Sequence, residues 1–218
     1  MNIIVFGAGG FVAREFTRLA RTNGHRVLTS SSRADQGADL VVDCTDESAI
    51  NRLVIPGDEP IDGVLFGQGR NPGVGLAEAN FAHFNAMHQI NIAGPTLLVR
   101  KLMPRMQRGG GFVFIGTSGV RRGSFDPAYG ANKAALWGLI NSLARYNQAQ
   151  RFNVISLALV EGSPVSESMP ADRRKTHADT MFGGKLVDAE GVARVALELM
   201  SNQNINRTNF QIDGGMVT

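Results

Sequence analysis

Short apolar segments alternate with helical patterns along almost the whole chain, and this alternation limits the possible fold more than any other feature. The apolar segments are continuous runs, which is typical of strands that are covered on both faces. Each run is followed by residues with the three- and four-residue spacing of an amphipathic helix. Repeated units of this kind predict an α/β fold, in which a doubly wound parallel sheet carries helices on both faces. With 218 residues, we expect one domain over residues 1–218.

The predicted elements follow from these two patterns. The apolar runs predict seven strands, at residues 2–6, 26–30, 39–43, 62–66, 111–116, 153–159 and 209–213. The helical patterns predict helices at 11–24, at 46–54 with Thr45 as N-cap, at 78–106, from the segment around Tyr129 to 149, and at 189–200. About seven residues separate the second and third strands, which is too few for a crossover helix, so we expect a loop or a single turn there. Residues 161–186 are expected to form an irregular loop.

Composition excludes several classes of protein. The net charge is +3 and the basic residues are scattered, so no nucleic-acid-binding surface is expected. No stretch approaches 18 apolar residues and the N-terminus lacks a basic leader, so we expect neither a membrane span nor a signal peptide. The single cysteine excludes an intrachain disulfide and fits a cytoplasmic setting. The four histidines, His25, His83, His88 and His177, show neither metal-ligand spacing nor a Ser or Asp partnership, so we expect no metal site and assign them no chemistry.

A glycine-rich turn joins the first strand to the first helix. Gly7, Gly10 and Ala13 match the pattern G-x-x-G-x-x-A, with Gly9 and Phe11 between them. Glycines at this place allow a pyrophosphate to approach the backbone, and the helix N-terminus offers N–H groups and a positive dipole end. The turn directly follows a strand, which supports a Rossmann-like dinucleotide site made by Gly7, Gly9, Gly10 and Phe11.

The residues after the second strand predict the choice of cofactor. A carboxylate at this strand end would bind the ribose 2′-hydroxyl and repel a 2′-phosphate, but the chain has Ser32 and Arg33 here. Arg33 can pair with a phosphate, so we expect NADP(H) to be preferred over NAD(H). The alternative is a solvated Arg33 in a turn, with Asp35 close by. Asp43, at the end of the third strand, is either an acceptor for the adenine amine or a turn residue.

Tyr129 and Lys133 stand four residues apart in "AYGANK" and therefore share one helix face. They could be two amphipathic side chains whose apolar parts are buried and whose polar ends reach solvent. The chemical interpretation is that the Lys133 ammonium lowers the pKa of the Tyr129 phenol, because a nearby cation favours the phenolate. A phenol with a lowered pKa can exchange a proton with a carbonyl/alcohol pair.

Asn91 lies four residues before Pro95, and Pro95 has no N–H to donate. The backbone carbonyl of Asn91 is therefore expected to be free, at a kink in the helix.

These segments together resemble the short-chain dehydrogenase/reductase family. The resemblance runs from residue 2 to residue 216 and rests on "GAGGFVA", "VLFGQG", "FNAMHQINIAG", "LMPRMQRGGGFVFIGTS", "YGANK" and "FQIDGGM". It implies a Tyr129 acid/base, a Lys133 that also holds the nicotinamide ribose, and an Asn91 that holds a proton-relaying water. It implies a strand-end hydroxyl that polarises the carbonyl. We favour Ser118 by residue type, although alignment on the strand slightly favours Thr117.

The chain also departs from the family pattern. The family's usual Asn-Asn-Ala-Gly is replaced by "FGQG", in which Gly67 and Gly69 still allow close backbone approach to the cofactor. The residue before Lys133 is Asn132, where Ser is common, and the usual Pro-Gly after the sixth strand is missing. The chain therefore resembles a trimmed member of the family. The resemblance further implies a homodimer or homotetramer.

The expected function is hydride transfer between NADP(H) and a small-molecule carbonyl or secondary alcohol. The alternative is a non-catalytic sensor or regulator that binds the nucleotide on the same fold. An epimerase or dehydratase is disfavoured because those relatives usually carry a larger substrate domain. The substrate is not evident: Arg173, Arg174 and Lys175 could attract an anion, but a solvated charge cluster explains them better.

Overall fold

A computed structural model describes residues 1–34 and 37–216. Within these residues, seven parallel strands form one sheet in the spatial order β3-β2-β1-β4-β5-β6-β7. The strands are β1 Asn2–Phe6, β2 Arg26–Ser31, β3 Leu40–Val41, β4 Ile61–Phe66, β5 Met106–Thr117, β6 Arg151–Leu157 and β7 Asn209–Ile212. The predicted doubly wound, Rossmann-like parallel sheet in a single domain is confirmed.

Helices connect the strands and cover both faces of the sheet. They are α1 Phe11–Thr22, α2 Glu47–Arg52, α3 Phe81–His88, α4 Gly94–Leu102, α5 Gly119–Arg122, α6 Pro127–Tyr146, α7 Pro164–Ser168, α8 Ala171–Asp179 and α9 Ala189–Ser201. A π-helical turn, Gln89–Ala93, joins α3 to α4, and 3₁₀ turns lie at Met103–Arg105 and Phe182–Gly184.

Successive strand residues point to opposite faces, so two separate cores form. On one face, Ile3 and Val5 of β1 pack with buried residues of α1 and α9, such as Phe16 and Val192. On the other face, Ile4 and Phe6 of the same strand, together with their neighbours in β4–β6, pack with these buried residues of α2, α4 and α6: Ile50, Leu98, Val99, Leu102, Leu136, Ile140 and Ala144. Two covered faces explain why β1 and β4 carry apolar residues at successive positions.

Stacked phenylalanine rings cross the second face of the sheet. The Phe66 ring lies 5.6 Å from Phe6 and 4.7 Å from Phe114, measured between ring centroids, and Phe112 lies 5.1 Å from Phe152. Offset aromatic pairs add stabilisation to the burial of their area. Phe66 stands where the family pattern has its first Asn, so a packing residue replaces a polar one at this strand end.

Several predicted boundaries differ from the structure. The third strand is only two residues long, and the N-cap of α2 is Asp46, which accepts from the Ser48 N–H, rather than the predicted Thr45. The described residues between β2 and β3 contain no α-helix, as expected for a short connection, while Asp35 and Gln36 lie outside the described residues.

Two predicted segments proved to be subdivided. Residues 161–186, expected to be an irregular loop, contain α7 and α8, whose starts carry proline at or next to the first helical position. The predicted helix 78–106 begins only at Phe81, because Asn80 caps it by accepting from the His83 N–H, and it ends at Leu102. The π-helical turn lies just before Pro95, where the missing N–H interrupts the regular hydrogen bonds.

Candidate active site

The carboxyl ends of β1 and β4 meet where the strand order reverses. β1 pairs with β2 on one side and with β4 on the other. Strands β2 and β3 extend the sheet on the first side, and β4 to β7 extend it on the second. A crevice opens at such a reversal in parallel sheets, and ligands bind there. The glycine-rich turn after β1 and the segment from Gly67 to Gly69 after β4 therefore lie side by side.

Gly7 shows why this turn requires glycine. Its φ is +70°, and a Cβ atom here would lie 2.5 Å from the backbone nitrogen of Gln68. Gly10 forms the N-cap of α1 and has no side chain to occupy the first N–H groups of that helix. Gly9 is exposed, while Phe11 is half-buried and lies 3.4 Å from the position of a Cβ atom at Gly162. The N-terminus of α1 is thus open to an anionic group.

Two turns form the region predicted to bind the adenosine half of the cofactor. The Ser31 hydroxyl accepts from the Arg33 N–H at 3.1 Å, which shapes the turn that carries Ser32 and Arg33, both exposed. Asp43 accepts from the Thr45 N–H and hydroxyl at 2.8 and 2.7 Å, so its carboxylate has the turn role that the sequence left open.

Gln68 and Gly69 lie between the glycine-rich turn and α6. Within the described residues, both amide atoms of the Gln68 side chain are buried without a hydrogen-bond partner. A Cβ atom at Gly69 would lie 3.2 Å from Lys133 Nζ and 3.6 Å from Asn91 Oδ1. Buried polar groups without partners are costly in the absence of a ligand. These open polar groups and the glycine-lined approach fit a bound dinucleotide.

Helix α6 places Tyr129 and Lys133 beside this crevice. The helix begins at Pro127, with Asp126 as N-cap accepting from the Tyr129 N–H at 2.9 Å. Lys133 is buried, and its Nζ donates to the Ile115 carbonyl at 2.7 Å. Nζ lies 6.0 Å from the centroid of the Tyr129 ring. Burial lowers the pKa of Lys133 to about 8, because the protein interior disfavours the ammonium.

The pKa of Tyr129 differs from the sequence-based expectation. Burial raises the pKa above its usual value, a hydrogen bond with the Thr117 side chain acts in the opposite direction, and the charge of Asp126 raises it further. The expectation of a lowered pKa is therefore wrong: the pKa of Tyr129 is raised, and the Lys133 ammonium donates to the Ile115 carbonyl. The phenol is thus held in its protonated form.

The two strand-end hydroxyls have different surroundings. Ser118 is buried, and its hydroxyl donates to the Leu157 carbonyl at 3.1 Å. The half-buried Thr117 also donates to the Leu157 carbonyl, at 3.3 Å, but its side chain interacts with Tyr129 as well. Of the two, Thr117 is therefore the hydroxyl beside the phenol.

Asn91 lies in the π-helical turn and is buried. Its side-chain nitrogen donates to the Met87 carbonyl at 2.9 Å, while Oδ1 has no partner among the described residues. The open acceptor here is this side-chain oxygen, close to Lys133 and Gly69. Asn91, Lys133, Tyr129 and Thr117 thus share the carboxyl edge of the sheet with the glycine-rich turn.

His83 contradicts the expectation that no histidine pairs with an aspartate. Its Nε2 lies 2.9 Å from Asp126 Oδ1 and 3.1 Å from Oδ2. The two residues are 43 positions apart, so no sequence spacing could have identified the pair. Asp126 itself had a local signal, because an Asp followed by Pro is typical of a helix start.

Other polar clusters have structural partners. Arg174 lies 3.5 Å from Glu167 and Lys175 lies 2.7 Å from Asp179, so two of the three basic residues in this segment form surface ion pairs. Across residues 1–34 and 37–216, no group of three or more His, Cys, Asp or Glu could hold a metal ion. None of the helices in the same ranges is long and apolar enough to cross a bilayer.

Comparison with known proteins matches this architecture. Residues 11–217 match the family model described as "Enoyl-(Acyl carrier protein) reductase". The chain belongs to the short-chain dehydrogenase/reductase family. A curated relative, "Uncharacterized oxidoreductase YmfI" of Bacillus subtilis (strain 168), is 20% identical over 221 residues, covering 92% of this chain and 91% of that protein. Membership of this family makes the chain an oxidoreductase with a nicotinamide cofactor and a small-molecule substrate.

A solved short-chain dehydrogenase/reductase shares the fold. The crystal structure titled "Short-chain dehydrogenase/reductase SDR:Glucose/ribitol dehydrogenase", from Brucella melitensis, superposes with a TM-score of 0.87 at 19% identity. The superposition covers 100% of this chain and 96% of the other. At this level of identity the likeness concerns the fold alone.

Proposed function

We propose that this short-chain dehydrogenase/reductase transfers a hydride between NADP(H) and a carbonyl or secondary alcohol, with Tyr129 as the general acid/base. The observation that carries the proposal is the grouping of the Tyr129 phenol, the Thr117 side chain and the buried Lys133 at the edge where the dinucleotide turn lies. A sensor that only bound the nucleotide would have no need of this grouping. When bound, the nicotinamide supplies or accepts the hydride.

The cofactor would be held along the carboxyl edge of the sheet. Gly7, Gly9, Gly10 and Phe11 would face the pyrophosphate, because the N–H groups of α1 open there. Gly67 and Gly69 allow the backbone to approach the cofactor, and Lys133 would donate to the nicotinamide ribose. Asp43, engaged with Thr45, would border the adenine end.

Tyr129 would donate its proton to the carbonyl oxygen during reduction. Its raised pKa keeps the donor protonated near neutral pH. The Thr117 hydroxyl would polarise the same oxygen, in the manner of an oxyanion hole. We assign this role to Thr117 rather than to Ser118, since the Thr117 side chain reaches the Tyr129 phenol while Ser118 is buried.

Lys133 and Asn91 would return the proton to Tyr129. Lys133 has a pKa of about 8, so its ammonium can both give up and regain a proton near neutral pH. The unpartnered Oδ1 of Asn91 would hold a water between this ammonium and solvent.

The preference for NADP(H) rests on the turn after β2. Ser32 and Arg33 are exposed there and offer a hydroxyl and a guanidinium to a 2′-phosphate. Calorimetry with NADPH and NADH tests this. Wild type should bind NADPH more tightly, and Arg33→Ala should remove the preference while Arg52→Ala, an exposed arginine of α2, should keep it. Equal binding of both cofactors by wild type would overturn the preference.

The reacting bond requires a separate experiment, because the matching family model is described by a reductase of carbon–carbon double bonds. NADPH oxidation should be followed with aldehydes, ketones, a 3-oxoacyl thioester and an enoyl thioester. The proposal predicts turnover with a carbonyl substrate. Turnover with the enoyl thioester alone would overturn the assignment to carbonyl reduction.

We also propose a cytoplasmic homodimer or homotetramer. The lone half-buried Cys44 suits a reducing compartment. Helices α3 and α6 expose large apolar side chains, Phe81 and Phe84 on the first and Trp137 and Tyr146 on the second. Exposed apolar side chains of this size are typical of surfaces that pack against a second subunit.

A further inference from the structure

Asp126 is a buried carboxylate that joins three segments of the chain. Only 1% of the residue is exposed. Its oxygens accept from the Tyr129 N–H at 2.9 Å, from the Val74 N–H at 3.2 Å and from His83 Nε2 at 2.9 and 3.1 Å. Helix α6, the loop after β4 and helix α3 therefore meet at one side chain.

These contacts compensate the charge of the carboxylate. Burial alone would raise the pKa of Asp126, but the hydrogen bonds from Tyr129, His83 and Val74, with the charge of His83, bring it below its usual range. An ionised carboxylate with this set of donors is a strong acceptor and holds its partners in fixed geometry.

His83 is held from both ends. Its backbone N–H donates to Asn80 Oδ1 at 3.0 Å at the start of α3, and its ring, with 10% of the side chain exposed, reaches Asp126. The pair therefore fixes the two helices at the point where Tyr129 emerges.

We propose that Asp126 and His83 are positioning residues that fix Tyr129 and set the electrostatic field at its phenol. The inference rests on the proposed role of Tyr129 and adds to it two residues that do not touch the substrate. Asp126 acts in two ways: it binds the backbone of Tyr129 directly, and its negative charge disfavours the phenolate. The pair thereby holds the Tyr129 phenol in position and in its protonated form.

Two charged groups of neighbouring segments are placed near the pair. Glu78, in the loop before α3, places Oε2 3.1 Å from the position of a Cβ atom at Gly75, beside Val74. Lys133 lies on α6 and is 6.0 Å from the Tyr129 ring. The charge of Asp126 raises the pKa of Tyr129, and the hydrogen bond from His83 lowers the pKa of Asp126.

Ultraviolet titration of the Tyr129 phenol tests the proposal without substrate or cofactor. The chain has two tyrosines, and the second, Tyr146, is 84% exposed, so Tyr146→Phe leaves Tyr129 as the single titrating phenol. In this background, Asp126→Asn keeps a cap acceptor but removes the charge, and should move the titration to lower pH. His83→Leu removes a donor from the carboxylate and should move it to higher pH, whereas His83→Gln, which keeps an N–H donor, should restore it.

Asp46→Asn is the matched control, because Asp46 is also a helix N-cap but lies at the start of α2. It should leave the titration in place. A titration that Asp126→Asn moves no further than Asp46→Asn, in folded protein, would overturn the proposal. If Asp126→Asn does not fold, the His83 variants decide: an unchanged titration in His83→Leu overturns the proposal, and opposite responses to Leu and Gln support it.

The same variants separate this inference from the proposed function. An unmoved phenol titration in an enzyme that Tyr129→Phe inactivates would overturn the positioning role alone. A titration that moves as expected, in an enzyme that Tyr129→Phe leaves fully active, would overturn the catalytic role of Tyr129.

Discussion

Lys133 is a buried ammonium whose charge opposes folding. The pKa of Lys133 is about 8 in the folded chain, against 10.5 for an unperturbed lysine, the value taken for the unfolded chain. Between these values the unfolded chain binds more protons, so the stability contributed by this group rises with pH across that window. Below pH 8 the full cost applies and amounts to about 3 kcal/mol. A residue retained at such a cost is expected to serve the chemistry of the site.

Lys133→Met should therefore be at least as stable as wild type at pH 7, because loss of the buried charge outweighs the hydrogen bond to Ile115. The difference in the free energy of unfolding between Lys133→Met and wild type should become smaller between pH 7 and pH 10. Urea unfolding at the two pH values measures this. Lys101→Met is the control, since Lys101 is only half-buried and its ammonium also donates to a backbone carbonyl, that of Asn51. A difference between wild type and Lys133→Met that is equal at both pH values would contradict the assigned cause.

The neighbouring hydroxyls give a second prediction at the residue scale. Thr117→Val should lower kcat by about 10²-fold, the usual effect of removing one donor from a developing oxyanion. Ser118→Ala should keep kcat within about tenfold and lose about 1 kcal/mol of stability, because the Leu157 carbonyl loses a donor. Steady-state kinetics and urea unfolding measure the two effects. The opposite order of the kcat losses would reassign the polarising role to Ser118.

At the scale of elements, sequence patterns located the strands and most helices but not their interruptions. Continuous apolar runs identified all seven strands, since strands covered on both faces carry that signal. The helices of the 161–186 segment were missed because α8 is strongly polar along its length and α7 is only five residues long. Asp46 capping was missed in favour of its neighbour Thr45, since both residue types are favoured caps.

Helix α4 has a packing constraint at its first residue. A Cβ atom at Gly94 would lie 2.0 Å from the Cys44 carbonyl oxygen, and backbone cannot move aside as a flexible side chain can. Gly94→Ala should destabilise the chain by about 2–4 kcal/mol. Gly138→Ala, in α6 with nothing within 4 Å of its Cβ position, should instead stabilise by about 0.5–1 kcal/mol. Thermal or urea unfolding measures the stability of both variants. Equal effects of the two substitutions would contradict the close approach of Gly94 to the Cys44 carbonyl.

At the scale of the whole molecule, the sequence order of motifs predicted that the candidate site residues share one edge of the sheet, and the structure places them at that edge. Gly7, Tyr129 and Lys133 all follow strand ends, and a parallel sheet brings its strand ends to one edge. The pairing of His83 with Asp126 and the raised pKa of Tyr129 could not be predicted, since they depend on how α3 packs on α6 and on burial. Local spacing carries no information about either.

The proposed assembly makes a prediction at the same scale. Sedimentation velocity should give a dimer or tetramer of the 23.4 kDa chain. Trp137→Glu should weaken it, because a carboxylate would replace a half-exposed apolar side chain on α6. Asn147→Asp, just beyond α6, adds the same charge without removing an apolar side chain. A wild-type monomer, or equal effects of the two substitutions, would contradict an interface on this helix.

The central claim is that Tyr129 exchanges the proton during hydride transfer. The most direct measurement is kcat with saturating NADPH and the best carbonyl substrate, for wild type, Tyr129→Phe and Tyr146→Phe. A general acid typically contributes 10²–10⁴-fold, so Tyr129→Phe should lose about that factor. Tyr146→Phe, which removes an exposed hydroxyl at the end of the same helix, should keep wild-type turnover. Turnover by Tyr129→Phe within a fewfold of wild type would contradict the account.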